Sequence, residues 1–269
     1  MAVNHPPLDP AQMARNLRIV TGMAPAEAAF PKQETVIATL LTGEMELQGL
    51  MPWSSNYTFL TRLVGANEVE LLGIYKPGQG ERPLWDFPDF TLSHREFASY
   101  VISQVLGWPA VPPTVLRDGP HGAGSVQLFI EAEYEAHYFN MRDIPAFTET
   151  FRKMALFDFV VNNADRKGGH CLKGKDGQIW AIDHGLTFHT DPKLRTVIWE
   201  FSEEAIPAEP LADLTRLQDL LENSELCQIM ADLISPREIE ALKRRIHRLV
   251  KLGRFPTLQS GRNVPYPPI

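Results

Sequence analysis

Two stretches decide how this chain is read: Asn162-Asn163-Ala164-Asp165-Arg166-Lys167-Gly168-Gly169-His170 and, shortly after, Ile182-Asp183-His184-Gly185. The first follows Thr148–Val161, which is apolar around most of its circumference and reads as a helix at the centre of a lobe. Asn, Asp and Gly all favour turns, yet one carboxylate, two cations and two glycines in nine residues exceed what a turn requires. An Asp at such a place accepts a proton from an attacking hydroxyl, and adjacent Arg and Lys balance phosphate charge. Two short β-runs follow, His170–Lys173 and Gln178–Asp183, joined by the hairpin turn Gly174-Lys175-Asp176-Gly177. Asp183 therefore closes a strand, a position suited to a metal ligand. Taken alone, the tetrapeptide is an ordinary turn.

Upstream of these stretches the texture is β. Thr35–Leu41 and Glu44–Leu50 are expected strands, and Tyr57–Val64 and Val69–Lys76 flank a short Gly/Asn loop as a hairpin. Lys76 ends the last of these strands, where it either snorkels to solvent or presents its charge to a ligand. Pro77–Pro88 is a Gly/Pro loop in which no regular element is expected. Ser93 and Glu96 match a capping box before Phe97, Val101 and Val105, and Gly107 supplies the stop. Glu96 serves either as that cap or as a carboxylate orienting Lys76. Gly124–Glu131 is a further expected strand.

Downstream, Pro210–Glu222 and Ser235–Leu252 read as helices. The second has Ser235 and Glu238 as a capping box and one apolar face through Ile239, Leu242, Ile246 and Leu249. Its opposite face, with Lys243, Arg244, Arg245, Arg248 and Lys251, is a solvated outer face or a contact for an anionic membrane. Residues 1–34 form an accessory segment in which Pro10–Gly22 is a short helix that must dock to persist. The expected organisation is that segment, an N-lobe with lobe connector over 35–131, a C-lobe over 132–254 and an extended Pro-rich tail over 255–269. The fold class is α+β, with a β-rich half carrying one long helix and a mainly helical half.

The chain has 269 residues, 44% apolar and 22% charged, with net charge −7 and two cysteines. That charge disfavours general nucleic-acid binding. No window approaches the ~20 apolar residues of a membrane span. Cys171 and Cys227 form no paired motif and fit a reducing compartment, so a cytoplasmic protein is expected.

Lysine closing the third core strand, glutamate on the next helix, aspartate in a loop, a hairpin and then Asp-x-Gly is the ordered parts list of a protein-kinase-like fold. The stretches Pro52–Tyr57, Tyr75–Pro88, Asn162–His170, Ile182–Gly185 and Lys193–Trp199 resemble those of the bacterial proteins classed as phosphatidylinositol 3- and 4-kinase-like. The resemblance runs from about Leu41 to Leu217. It implies a bilobal ATP-binding fold shared with lipid kinases and toxin kinases of the HipA type. By that resemblance Asp165 is the catalytic base and Asp183 the metal ligand, while Lys76 contacts the α- and β-phosphates and Glu96 orients it. Arg166 and Lys167 would stabilise the transferring group or the acceptor. Ser54, Ser55 and Asn56 would cover the nucleotide phosphates without a glycine-rich loop. Gln127–Glu131 would connect the lobes, with Phe129, Ile130 and Glu131 at the adenine.

Two positions depart from the family pattern. His170 stands where a metal-binding Asn is expected. Imidazole there favours Mn²⁺ over Mg²⁺, touches a phosphate, or marks a weakened catalyst. His184 replaces the Phe that follows the metal-binding Asp. The expected activity is an ATP-dependent phosphotransferase using Mg²⁺ or Mn²⁺ on a protein, lipid or small-molecule acceptor. The rivals are a nucleotide-binding pseudokinase, an AMP-transferring enzyme, and a metal-dependent hydrolase built on His170, Cys171, Asp183, His184 and His189.

Overall fold

The β-rich texture of residues 44–77 folds as three antiparallel strands, β1 (Glu44–Leu50), β2 (Phe59–Val64) and β3 (Glu70–Pro77). β4 (Thr114–Gly119) and β5 (Gly122–Leu128) complete a five-stranded sheet of order β1-β2-β3-β5-β4 in the computed structural model, which describes residues 9–25, 33–52, 56–223, 225–258 and 262–269. Tyr75 is held between Phe59 of β2 and Val126 of β5, and Lys76 beyond it pairs in register with Ser125 of β5.

Residues 35–41 correct an expectation. They are not a strand but part of helix α2 (Gln33–Thr42). Their β-branched residues favour strands only where a pleated surface receives them, and the sheet already ends at β1. Leu40 and Leu41 are instead buried in the core. Ahead of α2, α1 (Pro10–Met23) docks as its amphipathic pattern requires, with Met13, Leu17 and Val20 buried in the same core and α3 against it.

Helix α3 (Leu92–Leu106) is buried along its whole length and ends at Gly107, whose φ of 80° suits a glycine. Its start is a second correction. Thr91, not Ser93, flanks the helix, and the Ser93 N–H donates to Glu81 Oε1 at 3.2 Å. With the helix starting at Leu92, Glu96 is its fifth residue, past the third position that a capping box uses, and its carboxylate is left for other partners.

The C-lobe holds α4 (Tyr138–Met141), α5 (Thr148–Val161), the hairpin β6 (Cys171–Lys173) and β7 (Ile179–Ala181), then α6 (Ala208–Asn223), α7 (Glu225–Ala231) and α8 (Pro236–Leu252). β4, α4 and α7 were not foreseen. α8 has its capping box, with Ser235 N–H donating to Glu238 Oε2 at 2.9 Å. Arg95 of α3 is buried and donates to Glu238 Oε1 and to the Thr187 carbonyl, each at 2.6 Å, which ties the two lobes together. The tail does not hang free in its described part: the Pro268 carbonyl accepts from Gly168 N–H at 2.7 Å, and the Asn263 carbonyl from Thr196 N–H and Trp199 Nε1.

Candidate active site

The hydrogen-bond register that clamps β3 delivers Lys76 to the lobe interface. Its Nζ lies 2.5 Å from Glu96 Oε1 on α3 and 3.0 Å from Asp183 Oδ1 in the loop after β7. Glu96 Oε2 accepts the backbone N–H of His184 at 3.0 Å. One carboxylate thus fixes both the lysine and the turn that carries Asp183. Burial lowers the Lys76 pKa, but Asp183 and Glu96 outweigh it and hold it above the ordinary value. The Asp183 carboxyl is held far below the usual carboxylate range, first by Lys76 and against burial. Asp183 has φ 61°, a left-handed conformation costly for a residue with a Cβ. Its side chain nevertheless stays 48% exposed toward the cleft.

Asp165 stands opposite. Its N–H donates to Asn163 Oδ1 at 3.0 Å, and Lys167 Nζ lies 3.3 Å from its Oδ2. Burial pushes its carboxyl up, with Lys167 opposing, the direction a proton acceptor needs.

Arg166 is a correction. Expected at the transferring group, it is 0% exposed and directed beneath the loop. Nε and Nη2 reach Asp158 at 3.1 Å, Nη1 donates to the His170 and Ile182 carbonyls, and Nη2 meets His184 Nε2 at 2.6 Å. Asp158 also accepts from Asn163 Nδ2 and Thr196 Oγ1. The side chain fixes the loop's shape and offers no donor to the cleft.

A cavity of about 290 Å³ lies where these groups meet, and Lys76, Glu96, Asp165, Lys167, His170 and Asp183 all line it. Asn56 also lines it, with its Oδ1 accepting from Arg82 N–H at 2.9 Å. Ser54 and Ser55 lie outside the described residues. Phe129, Ile130 and Glu131 are not brought to this cavity. The Phe129 N–H donates to the Leu72 carbonyl, and Glu131 pairs with Lys175 of the β6–β7 turn, so the connector is stapled to both lobes.

Residues 117–244 match the family profile described as Phosphatidylinositol 3- and 4-kinase. A Mycobacterium tuberculosis protein, Protein Rv2133c, is 36% identical over an alignment 264 positions long, which takes in 86% of this chain and 94% of that protein. The chain belongs to the bacterial phosphatidylinositol 3- and 4-kinase-like family. The structure of the Golgi casein kinase with Mn/ADP bound is similar over 81% of this chain and 74% of that one, with 15% identity and a TM-score of 0.54. The structure of hydra Fam20 with sugar is similar over 88% and 94%, with 13% identity and the same score of 0.54. The fold of this family member is therefore kinase-like, with a β-sheet N-terminal region and a helical C-terminal portion.

The profile match begins after Lys76 and Glu96, so in this family member geometry alone assigns them to the cleft. His170 and His184 need separate treatment. His170 is pushed down to about 4 by burial, with Asp183 opposing and neighbouring cations adding, and is neutral at pH 7. Its Nδ1 accepts from Lys167 N–H at 3.4 Å, which leaves the proton on Nε2, 3.2 Å from Asp183 Oδ2. A metal-ligating imidazole shows the opposite polarity, donating through its other nitrogen. His170 thus fits a donor to Asp183 better than the metal ligand expected from its position. His184 is buried and neutral, its pKa well below the ordinary value through burial and then Arg166. It accepts from Arg166 and meets Phe157 edge-on, which gives this ring a packing task.

Asp183 and Asp165 present two carboxylates to one cavity, a donor set that suits a hard divalent cation sharing its coordination with phosphate oxygens. Among the described residues no three His, Cys, Asp or Glu side chains gather as a metal site of their own. Of the residues of the hydrolase alternative only His170 and Asp183 meet in the cavity: Cys171 packs on Met154, and His189 lies edge-on to Phe87. Glu81 was missed by the sequence reading. It lines the cavity and receives Ser93 N–H. The only signal for it was its place inside the Pro-Gly-rich loop after Lys76.

Proposed function

We propose that this protein is an ATP-dependent phosphotransferase whose nucleotide triphosphate lies in the interlobe cavity. The observation that carries the proposal is the convergence of Lys76, Glu96, Asp183 and Asp165, from four separate elements, on one cavity. Asp183, with Asp165 nearby, would hold Mg²⁺ or Mn²⁺, which neutralises phosphate charge when bound. The Golgi casein kinase with Mn/ADP bound supports this choice of ligands.

Lys76 carries a permanent positive charge and is positioned for the non-transferred phosphates, while Glu96 prevents it from swinging away. His170 donates to one Asp183 oxygen and fixes the carboxylate's rotation. Asp165, with its raised affinity for protons, accepts the acceptor hydroxyl's proton as the oxygen attacks the γ-phosphorus and ADP leaves. Lys167 steadies Asp165 and adds positive charge beside the transferring group. We place the protein in the cytoplasm, consistent with two free cysteines and with no helix among the described residues long and apolar enough to cross a membrane.

The test is a thermal-stabilisation panel of nucleotides with Mg²⁺, Mn²⁺ or neither, followed by product mass with γ-labelled ATP. Asp183→Asn should lose metal-dependent nucleotide binding, whereas Asp165→Asn should keep binding and lose transfer. Equal loss of binding in both variants contradicts the separate roles. Binding without transfer to water or any acceptor would favour the pseudokinase reading, which the histidine at position 170 supports. A product heavier by AMP would favour nucleotidyl transfer.

A further inference from the structure

A second cavity, of about 250 Å³, opens in the C-lobe between the end of α5, α8 and the segment after α8, and it shares no lining residue with the interlobe cavity. Arg244, Arg245 and Arg248 of α8 line it, and no acidic side chain does. In a chain with 33 acidic and 26 basic residues, such a wall needs an explanation. The acids nearest in sequence are spoken for: Glu238 pairs with Arg95, and Glu240 with Lys243. None of the three arginines has an ion-pair partner among the described residues.

Arg245 is the fixed member. Its Nε donates to the Val160 carbonyl at 3.0 Å and Nη1 to the His189 carbonyl at 3.3 Å, while Nη2 is buried with no partner. Burial and then the like charge of Arg244 push its pKa down to about 10, with Glu238 opposing. A half-buried guanidinium with one enclosed nitrogen unpartnered is costly. Arg244 and Arg248 are exposed beside it and line the cavity. The rest of the wall is mainly apolar, with Phe159, Leu194 and Trp199, and carries uncharged polar side chains at Asn162, Thr190 and Thr257. Few convergent polar groups in an apolar hollow is the usual composition of a small-molecule site. The volume exceeds the roughly 150 Å³ of a cavity that holds benzene, which suits a single ring with a charged substituent.

We propose that this cavity binds a small amphiphilic anion, with a phosphate or carboxylate head held by Arg244 and Arg248 above Arg245 and a flat apolar body against Trp199. Guanidinium forks match both heads bidentately. The proposal is independent of the reaction in the interlobe cleft.

The experiment is calorimetric titration of the full chain with phenyl phosphate, benzoate and uncharged benzyl alcohol, with phosphatidylcholine vesicles containing phosphatidic acid as a membrane arm. One saturable site is expected for phenyl phosphate or benzoate, at least tenfold tighter than for benzyl alcohol. The R244Q/R248Q double variant should weaken it at least tenfold, whereas K76M should leave it unchanged, because that lysine lies in the other cavity. A second readout needs no variant: the Trp199 indole N–H, bonded to the Asn263 carbonyl at 3.0 Å, should shift in nitrogen–proton spectra on addition of phenyl phosphate. Absence of saturable binding by both aromatic anions overturns the proposal. So does binding lost in K76M, binding retained in R244Q/R248Q, or vesicle association without binding of either free anion.

Discussion

The backbone N–H of His184 donates to Glu96 Oε2 at 3.0 Å, so a side chain from α3 holds the far side of the turn carrying Asp183, while the Ile182 N–H, bonded to the His170 carbonyl at 3.1 Å, holds the near side. The other Glu96 oxygen holds Lys76. Glu96→Ala should release both at once, lowering nucleotide affinity and transfer by about 10- to 100-fold, the scale of losing outer partners of a charged site. Glu96→Gln keeps an acceptor for one of the two and should fall between. Titration with a nucleotide analogue and Mn²⁺ checks the order, and equal affinity in all three proteins would remove Glu96 from the site.

Arg166 offers a sharper separation of structure from chemistry. With its guanidinium enclosed by Asp158, His184 and two carbonyls, Arg166→Met should leave a buried carboxylate unpaired and cost about 3–5 kcal/mol in urea unfolding. Combining it with Asp158→Leu should recover part of that loss, since both charges then disappear. A stable Arg166→Met protein lacking only transfer would restore the catalytic role expected from sequence.

Arg166 also illustrates what the sequence could and could not convey. The order of Lys76, Glu96, Asp165 and Asp183 was legible because each follows a recognisable punctuation: a strand end, a helix start, a loop and a hairpin. Arg166 lies between two cleft residues in sequence, and only the turn of the backbone points it the other way. The helix at residues 33–42 failed for a different reason. A run of Thr, Val, Ile and Leu has the same composition as a strand, and the choice is made by whether an edge is free to accept it. Capping by Glu96 failed because the helix begins at Leu92, two residues before the point where a Ser93 cap would start it. The C-lobe helix α8 was legible from its caps and periodicity, and α5 from a run that is apolar around most of its circumference.

β5 crosses β3 so closely at the lysine that a side chain cannot fit: a Cβ at Gly124 would stand 2.3 Å from the Lys76 carbonyl and 2.7 Å from the Pro77 Cα. Both obstacles are backbone. Gly124→Ala should therefore push the end of β3 outward, carrying Lys76 from Glu96, and cost about 1–3 kcal/mol as an overpacked site does. The expected signature is weakened nucleotide binding together with a lowered unfolding midpoint. Unchanged values of both would mean that the strands separate there without consequence for the lysine.

The Arg95–Glu238 pair predicts a pH dependence of stability. Burial raises the Glu238 carboxyl, but Arg95 and Ser235 outweigh it and its pKa is lowered on folding. A carboxylate of depressed pKa binds fewer protons when folded, so its stabilisation is complete above its unfolded value near 4.5 and fades as pH falls through the folded value. Glu238→Gln retains a residue able to complete the capping box with Ser235 and leaves Arg95 uncompensated, at a cost of about 3 kcal/mol near neutral pH. As pH falls through the folded value the wild type loses the same charge, and the two stability curves should converge. Urea unfolding of both proteins between pH 7 and about pH 3 measures the gap directly. Curves that stay parallel over that range would show that the carboxylate's charge contributes nothing to the junction between α3 and α8.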